Sequence, residues 1–215
     1  IDEILAAPDA DPGAKSMASG MKVIIGIDMV EGGQMSVDDW NKLANAHIAA
    51  YPDARMNSMI QAKKASLQAV ADLKTKPLDL KFAALDGKEI DFIKLRGKVV
   101  LLDFWATWCG PCVHEVPNVV KAYEALHSKG FEIVGISLDK DKAKLESFVK
   151  QNGMAWPQYF DGKGWQNDIS SRYGIQSIPA MWLINKQGML VSTNARENLE
   201  AVVESVRRGW KKLGT

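Results

Sequence analysis

Apolar positions in this chain follow two regimes. Up to about Lys76 they recur with a helical period; beyond it, short apolar runs alternate with helical stripes. The most continuous run is Val99-Val100-Leu101-Leu102-Asp103-Phe104-Trp105, which reads as a buried strand holding one carboxylate. A second buried strand is expected over Phe131 to Leu138. Two further strands, Ala180 to Ile184 and Met189 to Thr193, flank a turn at Asn185 to Gly188. Ahead of the long run, Leu78 to Ala84 and Glu89 to Phe92 form an expected hairpin around Asp86-Gly87. Helical stripes fill the intervals. After Cys109, Val116, Val119, Val120, Tyr123 and Leu126 share one face up to Gly130, with a kink expected at Pro117. Asp141 caps a helix striped by Leu145, Phe148 and Val149 and closed by Asn152-Gly153. A short helix is expected within Gly164 to Tyr173. The last stripe carries Leu199, Val202, Val203, Val206, Trp210 and Leu213. From Val99 the order is β-α-β-α-(short α)-β-β-α, which predicts an α/β fold with a sheet covered by helices on both faces.

The segment 1–76 reads as a separate helical region, with Thr75-Lys76-Pro77 as the expected boundary to a domain spanning 77–215. Ser36-Val37-Asp38-Asp39 has the form of a helix start, with Ser36 as cap and acids in the first turn. Leu43, Ala44, Ile48 and Tyr51 form the expected apolar face, ending before Pro52. A second helix is expected from Asp53 to Lys74 with Met56, Met59, Ile60, Leu67, Val70 and Leu73 inward. The stretch Ser16 to Glu31 suits either state: Val23, Ile24, Ile25 and Ile27 favour a strand, and the flanking Ala and Met residues favour a helix. Helix is the reading adopted, ended by Gly32-Gly33.

Composition narrows the function. At 215 residues and 47% hydrophobic content, the chain can bury an ample core. With 27 basic against 26 acidic residues, nothing recommends nucleic acid or an anionic membrane as partner. The doublets Lys63-Lys64, Arg207-Arg208 and Lys211-Lys212 read as solvated helix faces. Met21 to Val30 is too short and too charged to span a bilayer. The sequence begins at Ile1 rather than Met, which points to a trimmed natural terminus, so the missing signal pattern carries no weight on localisation.

The chemistry concentrates where the long run ends. Both cysteines of the chain stand in Trp108-Cys109-Gly110-Pro111-Cys112, between a strand and a helical stripe. Thiols delivered to a helix N-terminus meet unpaired N–H groups and the positive end of the macrodipole. These favour the thiolate, the nucleophile of thiol–disulfide exchange. Asp103 is costly inside an apolar strand unless it is paired or protonated, so its pKa is expected to rise.

The motif after the first core strand, with Ile178-Pro179 before the last hairpin, resembles the thioredoxin fold. More narrowly it resembles the bacterial thioredoxin-like reductases of the TlpA/ResA type. The hairpin of residues 78 to 92, the helix-bearing insertion after Leu138 and Glu115 three residues beyond Cys112 carry that narrower likeness, over roughly Leu78 to Leu213. The resemblance implies a mixed sheet with helices on both faces, preceded by a hairpin; residues 1–76, read above as a separate helical segment, lie outside it. It implies that Cys109 is the exposed attacking thiol and Cys112 the resolving one, with Gly110-Pro111 keeping the turn tight. Pro179 matches the family's cis-proline beside the thiols, and Ile178 and Ala180 would offer backbone to an extended substrate. Asp103 takes the place of a proton-transferring carboxylate below the resolving thiol, and Glu115 that of a second carboxylate near it. The lysine that thioredoxins set by this Asp falls at Gly135, which leaves the Asp more easily protonated. Trp108 reads as a partly exposed platform, Trp105 as core, and His114 as a surface residue.

The implied function is reduction of protein disulfides through a Cys109/Cys112 cycle with no cofactor besides that disulfide. Its partners would be disulfide-bearing proteins and an upstream electron donor. The implied setting is extracytoplasmic, periplasmic or membrane-anchored, since proteins of that type are often tethered. An oxidant or isomerase would use the same residues at another potential. A peroxiredoxin would want Thr where Ala106 stands. A metal bridge through the two thiols lacks further ligands, His47 and His127 having no metal-like spacing. A non-catalytic binding module is the remaining alternative.

Overall fold

In the computed structural model, which describes residues 1–209, the first part of the chain forms α1 (Asp2–Ala6), α2 (Pro12–Glu31), α3 (Val37–Ala50) and α4 (Asn57–Thr75). Trp210 and Leu213 of the last expected stripe lie outside the described residues. The ambiguous stretch is helical: Asp11 caps α2 by accepting the Ala14 N–H at 2.9 Å, and Pro12 opens its first turn. Packing explains why the β-branched run does not become a strand. A β-carbon at Gly26 would stand 2.8 Å from the Trp40 ring, so glycine lets α2 and α3 close together. Trp40 is fully buried, and its Nε1–H donates to the Val23 carbonyl at 2.9 Å.

Ser36 caps α3 through the Asp39 N–H at 3.0 Å, as expected. Helix α4 begins later than expected, because Asn57 folds back to donate from Nδ2 to the carbonyls of Tyr51 and Pro52. Met59 is 52% exposed rather than inward: Ile60 and Leu67 define the buried face, and Met59 is rotated about 100° from Ile60. The short α1 had no counterpart in the apolar pattern; it buries no residue, and Asp2 accepts a charged hydrogen bond from Lys22.

The chain divides into two compact units, Ile1–Ala71 and the part from Asp72 onward, with the division falling inside α4. The second unit opens with a two-stranded antiparallel hairpin, β1 (Lys81–Ala83) and β2 (Glu89–Asp91). Gly87 turns it at φ 82°, a conformation that disfavours side chains with a β-carbon. There follow β3 (Val99–Trp105), α5 (Gly110–Leu126), β4 (Phe131–Ser137), α6 (Lys142–Gln151), β5 (Gln158–Tyr159), α7 (Asp168–Arg172), β6 (Ala180–Ile184), β7 (Leu190–Ser192) and α8 (Leu199–Arg207). The sheet order is β5-β4-β3-β6-β7, with β3 parallel to β4 and antiparallel to β6. Every residue of β3 and β4 is buried, as helices on both faces require. Leu101 and Leu102 are at most 1% exposed, and burying each stabilises the fold by about 1.5–3 kcal/mol. Helix α5 continues through Pro117 as one element.

Candidate active site

The end of β3 and the start of α5 bring the predicted residues together. Cys109 is the N-cap of α5, and the Cys112 N–H points at its sulfur over 3.2 Å. Gly110 and Pro111 make the first turn, where the proline removes one donor that would lack a helical partner. The two cysteines are joined as a disulfide, with Cα atoms 5.2 Å apart. Cys109 is less open than the resemblance implies, at 6% exposed against 3% for Cys112. The Ile178 carbonyl oxygen lies 3.8 Å from the Cys109 sulfur. The Ile178–Pro179 peptide bond is cis.

Behind the disulfide lies a cleft lined by Asp103, Cys112, Trp156, Pro179 and Met181. Asp103 is 4% exposed, and its Oδ1 finds no hydrogen-bond donor. Burial pushes its carboxyl up to about 7, and the charge of Glu115 adds to the rise. Trp156 Nε1, also in the cleft, has no acceptor. Gly135 is the cross-strand partner of Asp103, and a β-carbon there would stand 2.6 Å from Gln158 Cδ. The space of the missing lysine is therefore taken by the Gln158 amide, whose Oε1 accepts from Trp105 Nε1 at 2.9 Å. Trp105 is core, as expected.

Glu115 is 9% exposed, not a solvated surface charge. One of its oxygens accepts from Asn118 Nδ2 at 3.0 Å, and the other meets Arg196 Nε at 3.3 Å. His114 is exposed. Trp108 is 49% exposed, and its ring stands 5.9 Å from that of Trp165, itself 47% exposed. An open groove of about 620 Å³ runs past this pair and is flanked by Lys140 and Lys144. Among the described residues no group of three or more His, Cys, Asp or Glu is arranged to hold a metal ion.

Some site residues escaped sequence reasoning. Asp139, 2% exposed, accepts the backbone N–H of Thr107 at 3.0 Å and its hydroxyl at 2.6 Å, bracing the turn that carries Trp108 and Cys109. Its only signal was a carboxylate directly after the second core strand. Trp165 and Arg196 gave none, since each reaches the site from a distant loop.

The Redoxin family matches this chain over residues 61–207. The thiol–disulfide oxidoreductase ResA of Bacillus thuringiensis (strain Al Hakam) is 34% identical over 126 residues, which is 57% of this chain and 71% of the relative. That of Geobacillus thermodenitrificans is 32% identical over 143 residues, 65% of this chain and 80% of the relative. Among solved structures, the thioredoxin domain of a thiol–disulfide oxidoreductase from Bacteroides vulgatus superposes with a TM-score of 0.54 at 29% identity. It covers 60% of this chain and 92% of that one.

Proposed function

Because this chain belongs to the Redoxin family and is a ResA-like thiol–disulfide oxidoreductase, we propose that it works as a reductant of protein disulfides, with Asp103 and Glu115 serving its two thiols. The observation that carries this reading is the Cys109–Cys112 pair at the N-terminus of α5, backed by a buried carboxyl poised near neutrality.

In the reduced protein, the Cys109 thiolate is favoured by the helix N-terminus and attacks one sulfur of a substrate disulfide. That disulfide breaks, a mixed disulfide forms, and the departing substrate sulfur takes up a proton. Cys112 then gives its proton to the Asp103 carboxylate and attacks the Cys109 sulfur. The mixed disulfide breaks, the second substrate sulfur leaves and takes up a proton, and the substrate departs as a dithiol with two electrons passed to it. An upstream dithiol donor reduces Cys109–Cys112 again. Trp108 and the edge at Ile178 and Pro179 would hold the substrate chain, with Gly110 and Pro111 shaping the turn beneath it.

In an insulin assay, the protein is expected to accelerate disulfide reduction well above dithiothreitol alone; no acceleration would sink the reductase reading. The potential of the Cys109–Cys112 pair decides direction. A value near thioredoxin's, about −270 mV, fits a reductant, and one near DsbA's, about −120 mV, an oxidant.

The extracytoplasmic setting and a tether belong to the same reading, and their support is the likeness to TlpA/ResA-type proteins. No helix among the described residues is long and apolar enough to cross a membrane. In the source cell, the native protein is expected to be digested when protease is added to spheroplasts. Full protection with the outer face accessible would place it in the cytoplasm.

A further inference from the structure

Four of the six described tryptophans are at most 6% exposed, and the other two, Trp108 and Trp165, stand together at the surface. Trp108 directly precedes Cys109, whereas Trp165 arrives from the loop between β5 and α7. Large aromatic rings left side by side in water are a feature of surfaces that meet a partner. The groove they border is held in shape from beneath. Buried Asp139, two residues past β4, accepts from Thr107 and so ties the Trp108 turn to the segment leading into Lys140. Fully buried Asn167 donates from Nδ2 to the Ser137 carbonyl at 3.2 Å and caps α7 with its Oδ1. The Trp165 loop is thereby tied to the same strand end. The stem of Lys140 crosses Gly164: a β-carbon there would stand 2.8 Å from Lys140 Cε, and its φ of 61° suits glycine. Both walls, and the lysine beside them, are set before any partner arrives.

The charges in the groove differ in what already occupies them. Asp139 is engaged by Thr107 and Ser137. Asp141 accepts the Lys144 N–H at 3.0 Å as the cap of α6. Lys163 is held by Asp168 at 2.6 Å. Lys140 and Lys144 are exposed, border the groove, and have no ion-pair partner among the described residues. Their two ammonium groups are the charges left to meet a partner, and they favour an anion.

We propose that this groove is a specificity subsite that selects substrate disulfides flanked by an acidic residue. Lys140 and Lys144 take the carboxylate, and the Trp108–Trp165 pair takes an apolar neighbour from the same segment. This rests on the reading that the chain reduces protein disulfides. Because Trp108 adjoins Cys109, and an extended segment rises about 3.3 Å per residue, the subsite engages the substrate within a few residues of the cysteine under attack. The substrate class is therefore proteins with Asp or Glu close to the reducible cysteine. The lysines bring neither electrons nor protons to the exchange; they steer the encounter and fix its register.

The test is single-turnover oxidation of the pre-reduced full chain by short peptide disulfides. The series carries Glu, Gln or Lys at each position up to about four residues on either side of the cysteine, with Phe or Ala next to it. At the best position the Glu peptide is expected to react about 3–10-fold faster than the Gln peptide at low salt, with Lys slowest. That advantage should shrink in about 0.5 M NaCl. In Lys140→Gln/Lys144→Gln the Glu-to-Gln ratio should fall to about 1, and in Lys140→Glu/Lys144→Glu the Lys peptide should become the fastest. Trp165→Ala should remove the advantage of Phe over Ala. Equal rates for Glu and Gln at every position, a Glu preference that survives loss of both lysines, or a Phe advantage that survives Trp165→Ala overturns the proposal. Failure of every peptide to oxidise the protein sinks the reductase reading and the subsite with it, whereas oxidation by all at one rate sinks the subsite alone.

Discussion

Replacing Cys109 with Ser reduces insulin turnover to the rate of dithiothreitol alone. The hydroxyl that takes the sulfur's place at the start of α5 does not ionise near neutral pH, and the one other thiol of the chain, Cys112, is buried one turn inside the helix. Loss of a nucleophile is among the largest effects a single change can have, on the order of 10³-fold or more. Cys112→Ser behaves differently. Its Cys109 still attacks, but nothing resolves the mixed disulfide, so the variant accumulates as a covalent adduct with its substrate on a non-reducing gel. Circular dichroism separates these outcomes from misfolding. Turnover by well-folded Cys109→Ser at the wild-type rate would favour a binding module in which the thiols do no chemistry.

Asp103→Asn has the second largest expected effect, and it acts on rate and stability in opposite directions. A group that titrates near 7 can both take and return a proton at neutral pH, and general acid–base assistance is worth about 10²-fold or more. Turnover at pH 7 should fall by about that factor, while alkylation of the reduced Cys109 by iodoacetamide stays near the wild-type rate. The stability effect follows from linkage. Asp103 keeps its proton up to about pH 7 in the folded protein but only up to about 4 in the unfolded chain. Between those values the folded state holds one more proton. Wild-type stability therefore falls as pH rises from about 4 to about 7 and stays lower above it. The neutral amide removes that loss, which is up to about 4 kcal/mol for a shift of this size. The cost of its own unpaired donors subtracts from the gain. In urea melts, the stability difference between the Asp103→Asn variant and wild type should grow in the variant's favour from about pH 4 to about pH 8. Parallel curves would show that Asp103 titrates normally.

How far the sequence carried this reading can be traced through particular residues. Val99 to Trp105 was legible as a buried strand because apolar continuity is a local signal, and so were the caps at Ser36 and Asp141. The Cys109–Cys112 pair and its place at a helix N-terminus were legible for the same reason. Met59 was misplaced because α4 carries apolar residues on more than one face, and only packing selects among them. Likewise, the isoleucines of α2 look like a strand, and only the close approach of Trp40 at Gly26 shows why the segment packs as a helix. The lower half of the site was hidden for a further reason. Arg196 meets Glu115, Asp139 meets Thr107, and Gln158 fills the space over Gly135, each through contacts made only once the sheet has assembled. A glycine opposite Asp103 reads in the sequence as a missing lysine; in the fold it is the place vacated for an amide.

The sheet's outer strands bear on what such a protein can safely handle. On one side the ladder ends in Gln158–Tyr159, two residues long, and on the other in Leu190–Ser192, three residues long. Chains whose cross-links have just been opened expose unpaired backbone and tend to add to any long free strand. These borders are too brief to serve as a template, and the hairpin's Leu85 N–H already occupies the Gln158 carbonyl. An enzyme that meets loosened clients at every turnover is thereby protected from collecting them along its own flanks.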